Sequence, residues 1–363
     1  MSGTPAEAVR FGELRARYEW LGVLARSWTS EVHSAWDHEA GRLVAVKVLR
    51  PEHARDPEAR ARAERERQLL ERLRHECLVQ LHAAVELPDG SPALVLEYVQ
   101  GPSLRDLLGR RMELGFGQVR QVLHDIGSAL GYLHAHGLVH RDVTPANIRL
   151  RRDDGRAVLI DLGITRAASI PPDITLPGVL LGTPAYMSPE QVAGEEVDAR
   201  SDLYSLGLVA YAALLGRPPW EGGDLFSVLY RQRHEVLPPV ERMRPSTPPD
   251  LQAAVATLLR RDREARCASA GKLIAMLLPP PVRGGTAETA AAGDAQAAAD
   301  GETAGAAAQS GVAESGTAVG TDAVAASGTL AETGIALNSG ATAGIDAAGA
   351  GAVSAAAAMR AEG

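Results

Sequence analysis

The sequence has little cysteine, no long apolar run and no signal peptide, and each absence excludes a class of protein. Two cysteines in 363 residues, Cys77 and Cys267, cannot build a disulfide framework, so we expect a reducing, cytoplasmic setting. The longest strongly apolar stretch, 203–215, is too short to span a bilayer and is predicted to be a buried helix. The N-terminus carries charges of both signs without an apolar segment, so the sequence predicts no membrane anchor.

Net charge is also missing from most of the chain. The formal charge is −8, but residues 286–363 hold nine acids and one base, so residues 1–285 are neutral. A neutral body excludes a basic nucleic-acid-binding surface as the default interpretation. Residues 286–363 contain no aromatic residue and no proline, and Ala and Gly fill more than half of them. This composition predicts that 281–363 is an acidic, low-complexity, disordered tail.

Lysine is the scarcest base, because only Lys47 and Lys272 contribute to the 37 Lys and Arg residues. The stretch 43–49 alternates as a strand does, with three valines on one face and Lys47 on the other beside Ala45. A lysine in a chain that otherwise uses arginine indicates that a compact ammonium is required there. An ordinary lysine on an edge strand is the alternative interpretation.

A charged helix over 58–74 offers two carboxylates that could pair with Lys47. Glu66 shares one stripe with Leu69, Leu70 and Leu73, at the i, i+3, i+4 and i+7 positions. Glu64 falls on the polar face, where a surface ion pair within the helix is the simpler interpretation. A carboxylate on an apolar stripe needs a buried partner, so we predict the pair Lys47–Glu66.

Six short motifs occur in a fixed order between residues 18 and 278. They are 44–47 (VAVK), 140–147 (HRDVTPAN), 161–163 (DLG), 182–190 (GTPAYMSPE), 198–207 (DARSDLYSLG) and 262–266 (DREAR). Together they resemble the protein kinase family, and most closely the bacterial serine/threonine protein kinases. The resemblance implies an α+β, two-lobed fold over 18–280. A β-rich N-lobe with one long helix (18–96) would be joined by a hinge (97–101) to a mostly helical C-lobe (102–280).

The resemblance also implies a catalytic centre that uses ATP and Mg²⁺, with Mn²⁺ as an alternative ion, on protein substrates. Asp142 would be the base that accepts the proton of the substrate hydroxyl, and Asn147 and Asp161 would be the metal ligands. A turn-forming or capping role is the usual alternative for an isolated Asp or Asn. The residues implied to bind the nucleotide are Lys47, Glu66, Ala25, Ser27, Ser30, Val32, Ala45, Glu97 and Val99.

Further residues take regulatory or structural roles by the same resemblance. Arg141 would bind a phosphate in the activation segment, where Thr175 is the first candidate phosphosite and Ser169 the second; ordinary loop hydroxyls are the alternative. The remaining assignments are Thr183 (orienting Asp142), His140 (internal packing), Glu190 with Arg266 (a structural ion pair) and Asp202 (helix N-cap and anchor of the catalytic loop).

Two features, at four positions, depart from the family pattern. An ungapped alignment puts Ala25, Ser27 and Ser30 where the glycines that cover the ATP phosphates are usual, and a Cβ there should raise or stiffen the loop. Thr144 stands where a lysine is usual and supplies no charge. The leading prediction is therefore a serine/threonine protein kinase, with a pseudokinase scaffold as the alternative. A small-molecule phosphotransferase is disfavoured because 182–190 resembles a peptide-docking segment.

Overall fold

The computed structural model describes residues 11–163 and 184–277, apart from the side chains of Gly12 and Glu13. The candidate phosphosites Ser169 and Thr175, together with Thr183 and the tail 281–363, lie outside the described residues. Within the described part, the elements follow the order that the sequence predicts, and they form the two lobes implied by the resemblance.

The N-lobe is built on one antiparallel sheet. Its five strands lie in the spatial order β1-β2-β3-β5-β4. A short helix precedes the sheet and a long one crosses it. The elements are α1 (Gly12–Arg17), β1 (Tyr18–Arg26), β2 (Ser30–Asp37), β3 (Arg42–Leu49), α2 (Pro57–Arg72), β4 (Leu81–Glu86) and β5 (Pro92–Glu97).

The alternation predicted for β3 is confirmed. Val44, Val46 and Val48 are buried in a small core beneath Phe11 and other residues at the start of the chain. Ala45 faces the opposite way, into the main core that continues through the C-lobe. The central strand therefore presents Lys47, which shares the Ala45 face, to the space between the lobes.

Helix α2 lies against this second face of the sheet. Asp56 caps it by accepting a hydrogen bond from the backbone N–H of Glu58 (3.0 Å), and Pro57 fits its first turn because that position needs no N–H. The predicted inward stripe of α2 is confirmed at Glu66 and Leu70, which are both buried. The helix thus carries one carboxylate inward, toward β3.

The C-lobe consists of helices around α6, which is almost completely buried between Ser201 and Leu214, as the sequence predicts. No helix in the two described ranges is long and apolar enough to cross a membrane. The elements are α3 (Leu104–Gly109), α4 (Phe116–Ala135), β6 (Ile148–Leu150), β7 (Ala157–Leu159), α5 (Pro189–Ala193), α6 (Ala199–Leu215), α7 (Leu225–His234), α8 (Val240–Met243), α9 (Pro249–Leu258) and α10 (Ala270–Met276).

The segment joining the lobes is held against the β6–β7 ribbon. The backbone N–H groups of Leu150 and Arg152 donate to the carbonyls of Pro102 and Gln100, both at 3.0 Å or less. Gly101 lies between these contacts with φ +143°, and a Cβ there would come within 1.8 Å of the Leu150 carbonyl oxygen. A glycine is required at this close approach, which fixes the hinge to the floor of the cleft.

Candidate active site

Lys47 joins the two lobes at the centre of the cleft. Its ammonium Nζ lies 2.7 Å from Glu66 Oε1 on α2 and 2.7 Å from Asp161 Oδ1, which follows β7. Burial lowers the pKa of Lys47, but the carboxylates of Asp161 and Glu66 outweigh burial and raise it above its usual value. Lys47 is therefore a permanent cation, and the predicted contact with Glu66 is confirmed.

Glu64 takes the surface role that the sequence assigns to it. Its carboxylate accepts hydrogen bonds from Arg67 Nη2 at 2.6 Å and from Gln68 Nε2 at 3.0 Å, all on the outer side of α2. The apolar periodicity of α2, rather than its charge pattern, therefore correctly predicts that Glu66 contacts Lys47 and that Glu64 stays on the surface.

His140 fixes the backbone of the catalytic loop from inside. Its ring is completely buried, and its Nδ1 accepts a hydrogen bond from the backbone N–H of Asp142 at 3.2 Å. The ring proton is therefore assigned to Nε2, which donates to the Asp161 carbonyl at 2.6 Å. One imidazole thus ties together the two segments that carry the acidic site residues.

Asn147 holds the Asp142 side chain in place. Its Nδ2 donates to Asp142 Oδ2 at 2.8 Å and to the Asp142 carbonyl at 2.9 Å. Gly163 packs closely behind, since a Cβ on it would lie 2.5 Å from the Asp142 Cβ. The glycine of the 161–163 motif is thus required by packing against the catalytic loop.

Asp202 anchors the loop through its main chain. Its two carboxylate oxygens accept the backbone N–H groups of Arg141 at 2.7 Å and of His140 at 2.8 Å. His134 Nε2 lies 2.8 Å from the same carboxylate, a contact that the sequence did not reveal. The predicted N-cap role of Asp202 is wrong: α6 begins at Ala199, and Asp198 is its cap. The contacts of Asp202 with the backbone of the catalytic loop agree with the anchoring role that the resemblance implies.

Arg141 adopts a strained backbone, with φ at +67°, which a non-glycine residue seldom adopts. Its carbonyl accepts a hydrogen bond from Gln191 Nε2 at 2.9 Å, and its buried Nε has no hydrogen-bond partner among the described residues.

Glu190 and Arg266 form a buried ion pair, with 2.8 Å between Oε1 and Nη1. Ser201 Oγ also donates a hydrogen bond to the Glu190 carboxylate, at 2.6 Å. The predicted ion pair between Glu190 and Arg266 is therefore confirmed.

The turn between β1 and β2 is closed by its own serines. Ser27 Oγ lies 2.9 Å from Ser30 Oγ, and it also accepts the backbone N–H of Ser30 at 2.9 Å. Ala25 pairs with Val32 just before the turn, and Val32 pairs with Lys47 on β3. The turn of this hairpin is therefore fixed by the hydroxyl groups of its own residues.

Glu97 and Val99 lie where the sheet passes into the hinge. Glu97 is the last residue of β5, its backbone N–H donates to the Gln80 carbonyl at 2.8 Å, and its carboxylate pairs with Arg151. Val99 is buried. Val32 packs against the main core, to which Ala45 belongs, and it lies opposite Lys47 in the sheet. Sequence analysis missed the ion pair of the Glu97 carboxylate with Arg151.

The donors for a divalent cation fit Mg²⁺ in type and number. The described residues contain no cluster of three or more His, Cys, Asp or Glu side chains that could hold a metal alone. Mg²⁺ commonly binds through one or two protein oxygens together with phosphates and waters. Asp161 offers a carboxylate, and Asn147, whose amide nitrogen is turned to Asp142, offers its amide oxygen.

Comparison with known proteins agrees with this geometry. The protein kinase domain family matches residues 18–276. The serine/threonine-protein kinase PknB of Mycolicibacterium smegmatis is 39% identical over 269 residues, which cover 73% of this chain and 43% of that protein. The probable serine/threonine-protein kinase SCO3848 of Streptomyces coelicolor is 39% identical over 264 residues, covering 72% of this chain and 39% of that one.

A solved structure shows the same fold. The crystal structure of the Mycobacterium tuberculosis PknI kinase domain aligns with a TM-score of 0.54 and 29% identity, covering 72% of this chain and 95% of that one. The chain spans less than half the length of the two curated relatives. The matched residues include every motif described above and the whole Lys47 site, so the chain belongs to the protein kinase family.

Proposed function

We propose that the protein is a serine/threonine protein kinase that transfers the γ-phosphoryl group of ATP to hydroxyls of protein substrates. The observation that carries the proposal is the pair of contacts that Lys47 makes with Glu66 and Asp161 across the cleft, each at 2.7 Å. Phosphoryl transfer depends on positioning and charge neutralisation, and this arrangement fixes a cation where phosphate would lie.

Asp142 receives the substrate hydroxyl in this proposal. Its carboxylate is almost completely buried and is oriented by the amide of Asn147 at 2.8 Å. It accepts the proton of the hydroxyl as the oxygen attacks the γ-phosphorus, and ADP leaves with the bond to the β-γ bridging oxygen broken. Asp202 and His140 keep the loop backbone in the geometry that this proton transfer requires.

Mg²⁺ would be held by Asp161 and Asn147. When bound, it neutralises charge on the phosphate oxygens. Lys47 fixes the Asp161 carboxylate, since its Nζ donates to Oδ1 at 2.7 Å.

A pseudokinase scaffold is the second candidate, and two observations favour it. The hydroxyls of Ser27 and Ser30 bind each other, so they are not turned toward a ligand. Thr144, at the usual position of a lysine, is buried and supplies no positive charge. Under this hypothesis the fold is retained for binding a partner protein, and nucleotide binds weakly or not at all.

Transfer from radiolabelled ATP to the protein itself or to a generic basic protein tests the two candidates. We compare the wild type with Lys47→Met and Asp142→Asn at millimolar ATP with Mg²⁺ or Mn²⁺. Lys272→Met is the matched control, because it removes the other lysine, which is exposed on α10. The kinase proposal expects label in the wild type and the control only. Label in the wild type no higher than in Asp142→Asn would refute it, and a thermal shift with ATP alone would then identify a nucleotide-binding pseudokinase.

A further inference from the structure

The inward face of α7 carries a polar side chain where packing alone would need an apolar one. Val228 and Gln232 are the two buried residues of this helix, and they lie four positions apart, on one side of it. Gln232 is completely excluded from solvent. Burying an amide without partners destabilises a protein, so a glutamine at this position indicates that its hydrogen bonds are required.

Both ends of the Gln232 amide are hydrogen-bonded. Its Oε1 accepts a hydrogen bond from the indole Nε1 of Trp220, and its Nε2 donates to the main-chain carbonyl of Met187. The indole can only donate and the carbonyl can only accept, so these two partners fix which end of the amide carries the oxygen. Gln232 therefore connects the segment before α7 to Met187, which belongs to the 182–190 motif.

Met187 closes a tight turn in this motif. Its backbone N–H donates to the Pro184 carbonyl at 3.2 Å, and the two residues between them are buried in the main core. The core thus holds the start of the turn, whereas the carbonyl at its end is held by Gln232.

The same stretch of chain is tied to the catalytic loop on its other side. Gln191, four residues after Met187, donates from Nε2 to the Arg141 carbonyl at 2.9 Å, and Arg141 directly precedes Asp142. Residues 187–191 are therefore held between α7 and the loop that carries the candidate base. A shift of the Met187 carbonyl would change where a polypeptide bound to this segment lies relative to Asp142.

We propose that Gln232 is a positioning residue for the protein substrate, because it holds the Met187 carbonyl and thereby fixes the peptide-docking segment relative to Asp142. The inference rests on the proposed function, since it takes the 182–190 motif to bind the polypeptide that is phosphorylated. Both hydrogen bonds of Gln232 lie outside the Lys47 site. Loss of this side chain should therefore weaken the use of protein substrate and leave the binding of ATP unchanged.

Steady-state kinetics of the full chain test this role, with radiolabelled ATP and a generic basic protein as the two substrates. Gln232→Met keeps the length of the side chain and removes both hydrogen bonds, so the Met187 carbonyl is no longer held. We expect kcat/KM for the basic protein to fall about 5- to 50-fold, mainly because its KM rises. The KM for ATP should stay within about twofold of the wild-type value, because the nucleotide does not bind to this segment.

Two variants separate the Met187 contact from the packing of α7. Trp220→Phe keeps an aromatic ring and the Gln232–Met187 contact, so the KM for the basic protein should stay within about threefold of wild type. Gln252→Met on α9 is the matched control, because Gln252 also donates to a main-chain carbonyl, that of Thr247 at 2.6 Å, and should leave both KM values unchanged. If Gln232→Met does not fold, Gln232→Glu takes its place, since it keeps the shape and its carboxylate has no hydrogen to donate to Met187.

Four results would overturn the inference. A KM for the basic protein within about twofold of wild type in a folded Gln232→Met would show that Gln232 stabilises α7 without positioning the segment. An equal rise in the KM for ATP would place the effect at the nucleotide. Equal losses in Gln232→Met and Trp220→Phe would assign the effect to packing before α7. A wild type that labels no basic protein would also overturn it, and one that in addition fails to label itself refutes the kinase proposal.

Discussion

Two contacts of Lys47 bring together three segments that are separate in the sequence. Glu66 is 19 positions away and Asp161 is 114 positions away, yet each carboxylate lies 2.7 Å from the same nitrogen. The sequence predicted the first contact because Glu66 falls on the apolar stripe of α2. Motif spacing alone indicated that Asp161 belongs to the same site. A buried cation must be compensated, which is why both carboxylates are found where the fold buries Lys47.

Thr144 is the residue at which an added charge should increase activity. It directly precedes the short helical turn that holds Asn147, and its carbonyl accepts the Asn147 backbone N–H at 3.0 Å. We expect Thr144→Lys to raise kcat by about tenfold or more, because one charge-assisted contact to the transferring group contributes about 2–4 kcal/mol. Initial-rate measurements with saturating ATP check this.

Thr144→Met is the control for that experiment, since it adds a side chain of similar length without charge. A gain in both variants would mean that bulk, not charge, limits the wild type. A folded Thr144→Lys with unchanged or lower kcat would show that Thr144 is not a catalytic deficit.

At the scale of elements, the turn of the β1–β2 hairpin is closed by side chains. Ser27 Oγ contacts both the hydroxyl and the backbone N–H of Ser30, and the Thr29 carbonyl accepts the N–H of Arg50 at 2.9 Å. The turn is thus connected to the loop after β3 as well as to itself. A glycine-lined turn would lack the contacts of Ser27 Oγ with Ser30 and would have more backbone freedom.

Ser27→Ala should loosen this turn. It removes the three contacts of Ser27 Oγ with Ser30, among them the hydrogen bond that the Ser30 backbone N–H donates. Because such a bond contributes about 1 kcal/mol, we expect the amide of Ser30 to exchange with solvent about tenfold faster. Hydrogen exchange measured by NMR checks the change, and Thr29→Ala, which leaves both serine contacts intact, is the control. If the Ser30 amide exchanges equally fast in the wild type and in Ser27→Ala, the serines do not lock the turn. ATP binding that weakens without a change in exchange would instead mean that the Ser27 hydroxyl contacts the phosphates.

Sequence periodicity predicted the elements better than it predicted their ends. The alternation in β3 and the stripe on α2 are dictated by burial, and both are confirmed. The apolar run that begins at 203 predicts Asp202 as the N-cap of α6, but the helix starts earlier with a polar turn capped by Asp198. Contacts between hydroxyls, such as Ser27 with Ser30, have no signature in a sequence.

At the scale of the whole molecule, a buried ion pair joins the end of the 182–190 motif to the far end of the C-lobe. Glu190 precedes α6 and Arg266 follows α9, and both side chains are almost completely excluded from solvent. The guanidinium of Arg266 also lies over the ring of Tyr204 and donates to the carbonyls of Arg200 and Arg260. The pair therefore binds several segments at one point, and its loss should be felt in global stability.

Glu190→Gln should destabilise the protein by about 3–5 kcal/mol, because it leaves the buried charge of Arg266 without its counterion. Urea unfolding at neutral pH checks this value. The matched control is Glu264→Gln, which breaks the exposed pair with Arg200 at 2.8 Å and should cost about 1 kcal/mol or less. Equal effects of the two substitutions would contradict a special role for the buried pair.

The same pair predicts how stability depends on pH. Burial raises the pKa of Glu190, but hydrogen bonds from Arg266 and Ser201 outweigh burial and hold it below its ordinary value of 4.5. The unfolded chain therefore takes up this proton before the folded protein does. The contribution of Glu190 is complete above pH 4.5 and is lost as the pH falls through the lower, folded-state pKa. Wild-type stability should thus fall more steeply than that of Glu190→Gln below about pH 4.5, when both are measured by urea unfolding across that range. Parallel pH profiles would show that Glu190 has the same proton affinity in the folded and unfolded chains.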